Sequence, residues 1–93
     1  MRTIDRSSAF KHDYKRETKG QHRATLDDVI APVLLALATD QPLDARHRDH
    51  DLSGDWTGYR ECHLKPDLLL IYRKPDSDTL RLARLGSHSE IFG

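Results

Sequence analysis

Leu26, Val29, Ile30, Val33, Leu34 and Leu37 fall at i, i+3, i+4, i+7, i+8 and i+11, which puts one apolar stripe on a helix. Such a helix must bury its stripe against another layer. The cover comes from the second half of the chain. From residue 58, GYRECHLK, LLLIYRK and TLRLARL have the texture of short strands. Lys65-Pro66-Asp67 and Pro75-Asp76-Ser77-Asp78 separate them, and Pro beside Asp favours tight turns. Three strands joined this way make an antiparallel meander.

The rest of the chain completes an α+β domain. Thr3 and Ile4 suggest a short first strand, and Ser7 or Ser8 caps a helix carrying Phe10 and Tyr14 on one face, with Gly20 as its stop. Thr25 and Asp28 have the spacing of a capping box for the striped helix. Pro32 predicts a kink or break, because proline removes a helical hydrogen bond at a cost of about 3 kcal/mol. DQPLD ends that helix. The expected architecture is an N-terminal strand, two helices, then a three-stranded antiparallel meander, with both helices packed on one face of the sheet. Residues 1–93 form one domain of this kind, since the chain has no repeat, low-complexity tract or linker.

Composition narrows the function. Net charge is zero, but residues 1–25 hold seven Lys/Arg against three Asp/Glu, while residues 26–56 hold two against seven. A protein that grips free nucleic acid by charge alone is usually basic overall. This one would rely on local basic patches or on a larger partner that presents the substrate. No apolar run approaches the roughly 20 residues of a membrane helix, the N-terminus lacks a signal-peptide apolar region, and Cys62 is the single cysteine. The expectation is a cytoplasmic protein with no membrane partner.

Histidine moves protons most easily near neutrality, its unperturbed pKa being about 6.5. Of six histidines, His50 lies in the loop before the meander, His63 near the end of its first strand and His88 after its last. On that first strand Tyr59, Glu61 and His63 share one face, and Arg60, Cys62 and Leu64 the other. Asp67 follows His63 across a turn, and Arg84 precedes His88 by four residues. Arg84 has the parity of Leu80 and Leu82, so either a bulge intervenes or that face is mixed. Singly, each of these residues is more often structural or solvated than catalytic. His12 and His22 belong to the basic helical region, and Trp56 and Phe92 suit packing. His47 and His50 form an H-x-x-H, but a single cysteine and an unassigned loop give no closed ligand set of the usual spacing. No metal or other cofactor is expected. Both Gly-rich phosphate motifs, G-x-x-x-x-G-K-[ST] and G-x-G-x-x-G, are absent.

RDHDLSGDWTGYRECHLKPDLLLIYR followed by LARLGSHSEIFG closely resembles the YafQ branch of the RelE/ParE superfamily, bacterial type II toxin–antitoxin ribonucleases. The resemblance spans nearly the whole chain and is strongest over residues 49–72 and 84–93. It implies that His50, His63, Asp67, Arg84 and His88 are catalytic and that Phe92 contacts substrate. Leu68 departs from the pattern, since relatives often carry Trp after the Pro-Asp pair. Pro32 is unusual for the second helix.

The family further implies an endoribonuclease, an mRNA interferase, that cuts mRNA on the translating ribosome. Its implied partner is a small DinJ-like antitoxin, held in a hetero-oligomer that blocks or distorts the site. Lys11, Lys15, Arg16 and Lys19, with Arg23, then become a candidate surface for RNA phosphates, the alternative being an ordinary solvated helix face. The expected reaction is attack of a ribose 2′-OH on the adjacent phosphorus. His50 or His63, oriented by Asp67, would be the base, Arg84 the phosphate clamp and His88 the acid. Two rivals stay open: a ParE-like toxin that binds DNA gyrase without cutting RNA, and a non-catalytic interaction module.

Overall fold

The meander lies at the centre of a five-stranded sheet. A computed structural model describes residues 1–93, running β1 (Thr3–Arg6), α1 (Ser8–Glu17), α2 (Leu26–Ala38), β2 (His50–Asp51), β3 (Arg60–Lys65), β4 (Leu68–Asp76), β5 (Thr79–Gly86) and α3 (His88–Phe92). Strand order is β1-β5-β4-β3-β2, with β1 parallel to β5 and the other pairs antiparallel. The α+β class, the first strand, both long helices and the meander are as expected. Strand β2 and helix α3 are additions.

Alternation along β4 sorts the core. Leu68, Leu70 and Tyr72 face α1 and α2, where they meet Phe10, Leu26, Ile30, Val33 and Leu37. Leu69 and Ile71 point the other way, against Ala83, Ile91, Leu52, Trp56 and Tyr59. Both faces of β4 are therefore covered, which is why residues 68–72 are an unbroken apolar run rather than an alternating one. Leu68, the departure from the resemblance, sits fully buried in the helix-side core.

Three local details differ from the sequence expectation. Helix α2 runs unbroken through Pro32, which lies exposed on its outer side; the missing N–H removes one ladder bond without ending the helix. Thr25 stands at the N-cap of α2, yet its hydroxyl makes no cap bond and instead accepts from Lys65 Nζ at 2.6 Å. Helix α1 stops at Glu17, three residues before Gly20.

Strand β1 pairs with β5 only from Thr79 to Leu82. Beyond that, side chains of α1 complete the edge of β5. Ser7 Oγ donates to the Ala83 carbonyl at 2.8 Å, Asp13 Oδ2 accepts from the Leu85 N–H at 3.0 Å, and Arg16 donates to the Leu85 carbonyl at 2.9 Å. Helix α3 closes the chain with a full capping box between Ser87 and Glu90. Here Gly86 is required: a Cβ at this position would stand 2.7 Å from Arg16 Nη2 and 3.1 Å from Glu90 Oε1.

Candidate functional site

Pairing across the sheet brings the distant residues together. One row reads His50, Glu61, Ile71, Arg84 across β2, β3, β4 and β5. The adjacent row reads His63, Leu69, Gly86, and His88 begins α3 just beyond it. Arg84 joins the first row because a register shift makes Ala83 the extra residue between the Ile71–Arg84 and Tyr72–Leu82 pairs. The parity conflict noted in the sequence is that bulge.

Glu61 is the hub, and the sequence did not single it out. It is only 3% exposed, and its carboxylate lies 3.0 Å from His50 Nε2, 3.7 Å from His88 Nε2 and 4.0 Å from His63 Nε2. Oε2 takes the close contact with His50, while Oε1 has no hydrogen-bond partner. A buried acceptor left open is costly, on the order of 1–3 kcal/mol, and stays in a fold when a ligand or a moving donor fills it. The one sequence signal for Glu61 is its shared face with His63.

The imidazoles are held to different degrees. His50 Nδ1 lies 2.6 Å from the Arg48 carbonyl; that oxygen can only accept, so Nδ1 carries the proton and Nε2 is aimed at Glu61. Behind it, Asp49 accepts from the Tyr72 phenol at 2.5 Å and from Arg60 Nε at 3.2 Å. Burial, then the bond to Asp49, push the Tyr72 phenol well above its ordinary range, so it remains a donor. Burial also pushes the Cys62 thiol up to about 12, which makes it core rather than nucleophile. Tyr72→Phe is expected to cost about 1 kcal/mol in denaturant unfolding and to speed exchange of the His50 amide, since it frees the segment carrying that histidine. His88 is 64% exposed on the first turn of α3, the freest of the three.

Rings continue from there. His88 lies 6.3 Å from His63 and 5.4 Å from Phe92, and Phe92 lies 5.8 Å from Trp56, which meets Tyr59 at 5.3 Å between centroids. Trp56 and Tyr59 are half-buried, and His88 and Phe92 form the exposed end, a surface on which a base can stack.

Other expected site residues lie elsewhere or are occupied. Asp67 does not orient His50 or His63. The turn before β4 directs its carboxylate to the α1–α2 connection, 3.1 Å from His22 Nε2 and 2.8 Å from Gln21 Nε2. Arg84 is clamped by Asp13, with Nε–Oδ2 at 2.7 Å and Nη2–Oδ1 at 3.3 Å; its other guanidinium hydrogens remain available. Burial works against the Asp13 charge, but the Arg84 bond, the Leu85 N–H and the charges of Arg84 and Arg16 outweigh it and hold the carboxyl below its ordinary range. Arg16 is not free for phosphates: it spans Asp13 at 2.9 Å, Glu17 at 3.1 Å and Glu90 at 3.1 Å. Lys11, Lys15 and Lys19 are exposed. His47 turns its Nδ1 to the His63 carbonyl at 2.7 Å, so the H-x-x-H histidines face different partners. No helix is long and apolar enough to cross a membrane.

Comparison with known proteins finds relatives along the whole chain. The mRNA interferase toxin YafQ of Escherichia coli K12 is 35% identical over 92 residues, covering 97% of this chain and 99% of that one. The crystal structure of the E. coli DinJ–YafQ complex superposes with a TM-score of 0.85 at 34% identity, covering both chains fully. A copper-bound mutant toxin from Helicobacter pylori gives a TM-score of 0.87 at 42% identity, covering 99% of this chain and 100% of that one. The family model described as the bacterial toxin of type II toxin–antitoxin system, YafQ, matches residues 2–93, and the chain belongs to that family.

Proposed function

We propose that this chain is the toxin of a type II pair and an endoribonuclease that cuts mRNA on the translating ribosome, in the cytoplasm, by acid–base catalysis from its own side chains. The observation that carries the reading is the Glu61 hub: one buried carboxylate with three imidazoles within 4.0 Å and an unpaired oxygen. The E. coli relative, an mRNA interferase toxin, supports the reaction class, and the DinJ–YafQ complex supports an antitoxin as partner, giving a hetero-oligomer.

In the proposed step, the 2′-OH gives its proton to His63, whose imidazole faces the buried Glu61 carboxylate at 4.0 Å, with His50 bracing that carboxylate. The O2′–phosphorus bond forms and the phosphorus–O5′ bond breaks. His88 delivers a proton to the departing O5′, leaving a 2′,3′-cyclic phosphate and a 5′-OH. The unused N–H groups of Arg84 meet the charge that builds on phosphorus. Asp67, expected as the orienting acid, is replaced in that role by Glu61. A neutral chain can work this way because the ribosome supplies the positioning.

The test is to map mRNA 5′ ends after adding purified protein to ribosomes translating a defined message. New ends are expected inside the reading frame, with far fewer when the same RNA is free. Intact message would remove the reading; inhibited gyrase supercoiling in a parallel assay would then favour the ParE-like alternative. Cutting is also expected to persist in chelator. Loss restored only by an added metal ion would replace the acid–base account with a metal one.

A further inference from the structure

Between α2 and residues 45–48 lies a cleft of about 490 Å³ that the proposed chemistry does not use. Its volume is in the range of small-ligand sites, roughly 300–1,000 Å³. Val29, Val33 and Leu64 give it an apolar wall, Asp28 a carboxylate, and Arg46, Arg48 and Lys65 a cationic rim. Two contacts join it to the catalytic cluster. His63 lines it while standing in the Glu61 group, and the Arg48 carbonyl is the acceptor that fixes His50.

Charge placement points the same way. Residues 26–56 contain only two basic side chains, Arg46 and Arg48, and both stand at this cleft. The nearby acids Asp49 and Asp51 are taken by Arg60, at 3.2 and 2.5 Å, and the exposed Arg46 and Arg48 form no ion pair. Lys65 is tied to Thr25 and closes one end. Arg48 is also held at φ 48° and ψ 44°, a left-handed conformation that a non-glycine residue adopts only at a cost. That conformation belongs to the residue that supplies both a rim cation and the carbonyl behind His50.

We infer that this cleft seats the nucleotide beside the scissile phosphate, with its own phosphate at Arg46 and Arg48 and the amino edge of its base at Asp28. A carboxylate only accepts hydrogen bonds, so the subsite favours bases presenting an exocyclic amino group (adenine, cytosine or guanine) over uracil, whose one N3–H is flanked by two carbonyl oxygens that repel the carboxylate. The inference rests on the proposed RNA cleavage, of which it names a specificity subsite.

Its test has two arms on the full chain. In the first, 2′-O-methyl trinucleotides, which lack the nucleophilic proton, are titrated against the parent, Arg46→Gln/Arg48→Gln and Asp28→Asn, with thermal melts to verify folding. The double variant is expected to bind about tenfold more weakly and with a shallower salt dependence. Asp28→Asn is expected to reduce the preference over uracil-containing trinucleotides by about fivefold or more. In the second arm, 5′-end mapping on ribosomes should show a shifted pattern of cut sites for Asp28→Asn and a raised KM for the double variant. A parent that cuts, with variants matching it in both arms, overturns the subsite and leaves the ribonuclease reading standing. A parent that does not cut, with trinucleotide binding weakened in the folded variants, supports a nucleotide-binding cleft but sinks the ribonuclease reading and, with it, the placement beside a scissile phosphate. Variants that lose antitoxin binding but keep trinucleotide affinity and cut sites overturn the inference and assign the cleft to an acidic segment of the antitoxin.

Discussion

Glu61→Gln is expected to fold like the parent and to lose about 10²–10⁴-fold of its mRNA cleavage, the usual loss when acid–base catalysis is disabled. Glutamine keeps the volume of the glutamate and retains an oxygen to face His50, so the β2–β3 pairing has no steric reason to change. What it cannot do is supply the negative charge that orients the imidazoles and makes His63 a better base. The loss should appear in single-turnover cleavage on ribosomes, where product release plays no part. His88→Ala, on an exposed residue, should fall in the same range without loss of stability. Glu61→Gln protein cutting within a few-fold of the parent would end the hub as the chemical centre. Because burying a carboxylate without full hydrogen bonding is costly, Glu61→Gln is also expected to melt no lower than the parent. A gain in stability joined to a loss of activity marks a residue kept for its chemistry rather than for the fold.

Asp13→Ala should do the reverse, with a loss of about 3–5 kcal/mol in unfolding free energy. Asp13 is 2% exposed and is the acceptor for Arg84, Arg16 and the Leu85 N–H, so its removal leaves a partly buried guanidinium and a main-chain donor unpaired. For a domain of this size the melting midpoint should drop by roughly 12 °C or more. Asp13 also sets an acid limit on the fold. Its folded-state pKa lies below the ordinary carboxylate value, so its stabilisation is fully present above about pH 4 and fades as pH falls through the depressed value. Denaturant titrations from pH 6 to pH 2 should show that loss in the parent, and a smaller one in Asp13→Asn. Equal slopes for the two proteins would mean that other carboxylates govern acid unfolding.

Much of the fold was legible because its signals are local. The helical stripe in α2 and the Pro-Asp turns of the meander each fix structure within about ten residues of chain. Signals shared between a local and a distant partner misled. Thr25 and Asp28 have capping-box spacing, but Lys65, forty residues away, takes the threonine hydroxyl. Ser87 and Glu90 carry the same signature, and there the box forms and starts α3. Asp67 follows His63 by four residues, and the resemblance makes it a site acid, whereas its contacts are His22 and Gln21 across the fold. Glu61 stayed hidden because its role depends on β2, a strand of two residues that is too short to show periodicity. Arg84 is half legible: its parity leaves a bulge or a mixed face open, and the structure has the bulge, with Ala83 as the extra residue.

The half of β5 that β1 leaves uncovered has Ser7, Asp13 and Arg16 where another chain could otherwise add a strand. An exposed row of main-chain amides invites sheet-to-sheet aggregation. Those three side chains protect the molecule against sticking to copies of itself, and they do so at the end of the sheet where Arg84 and His88 lie. The outer strands limit the same hazard in another way: β1 is four residues long and carries Asp5 and Arg6, and β2 is two.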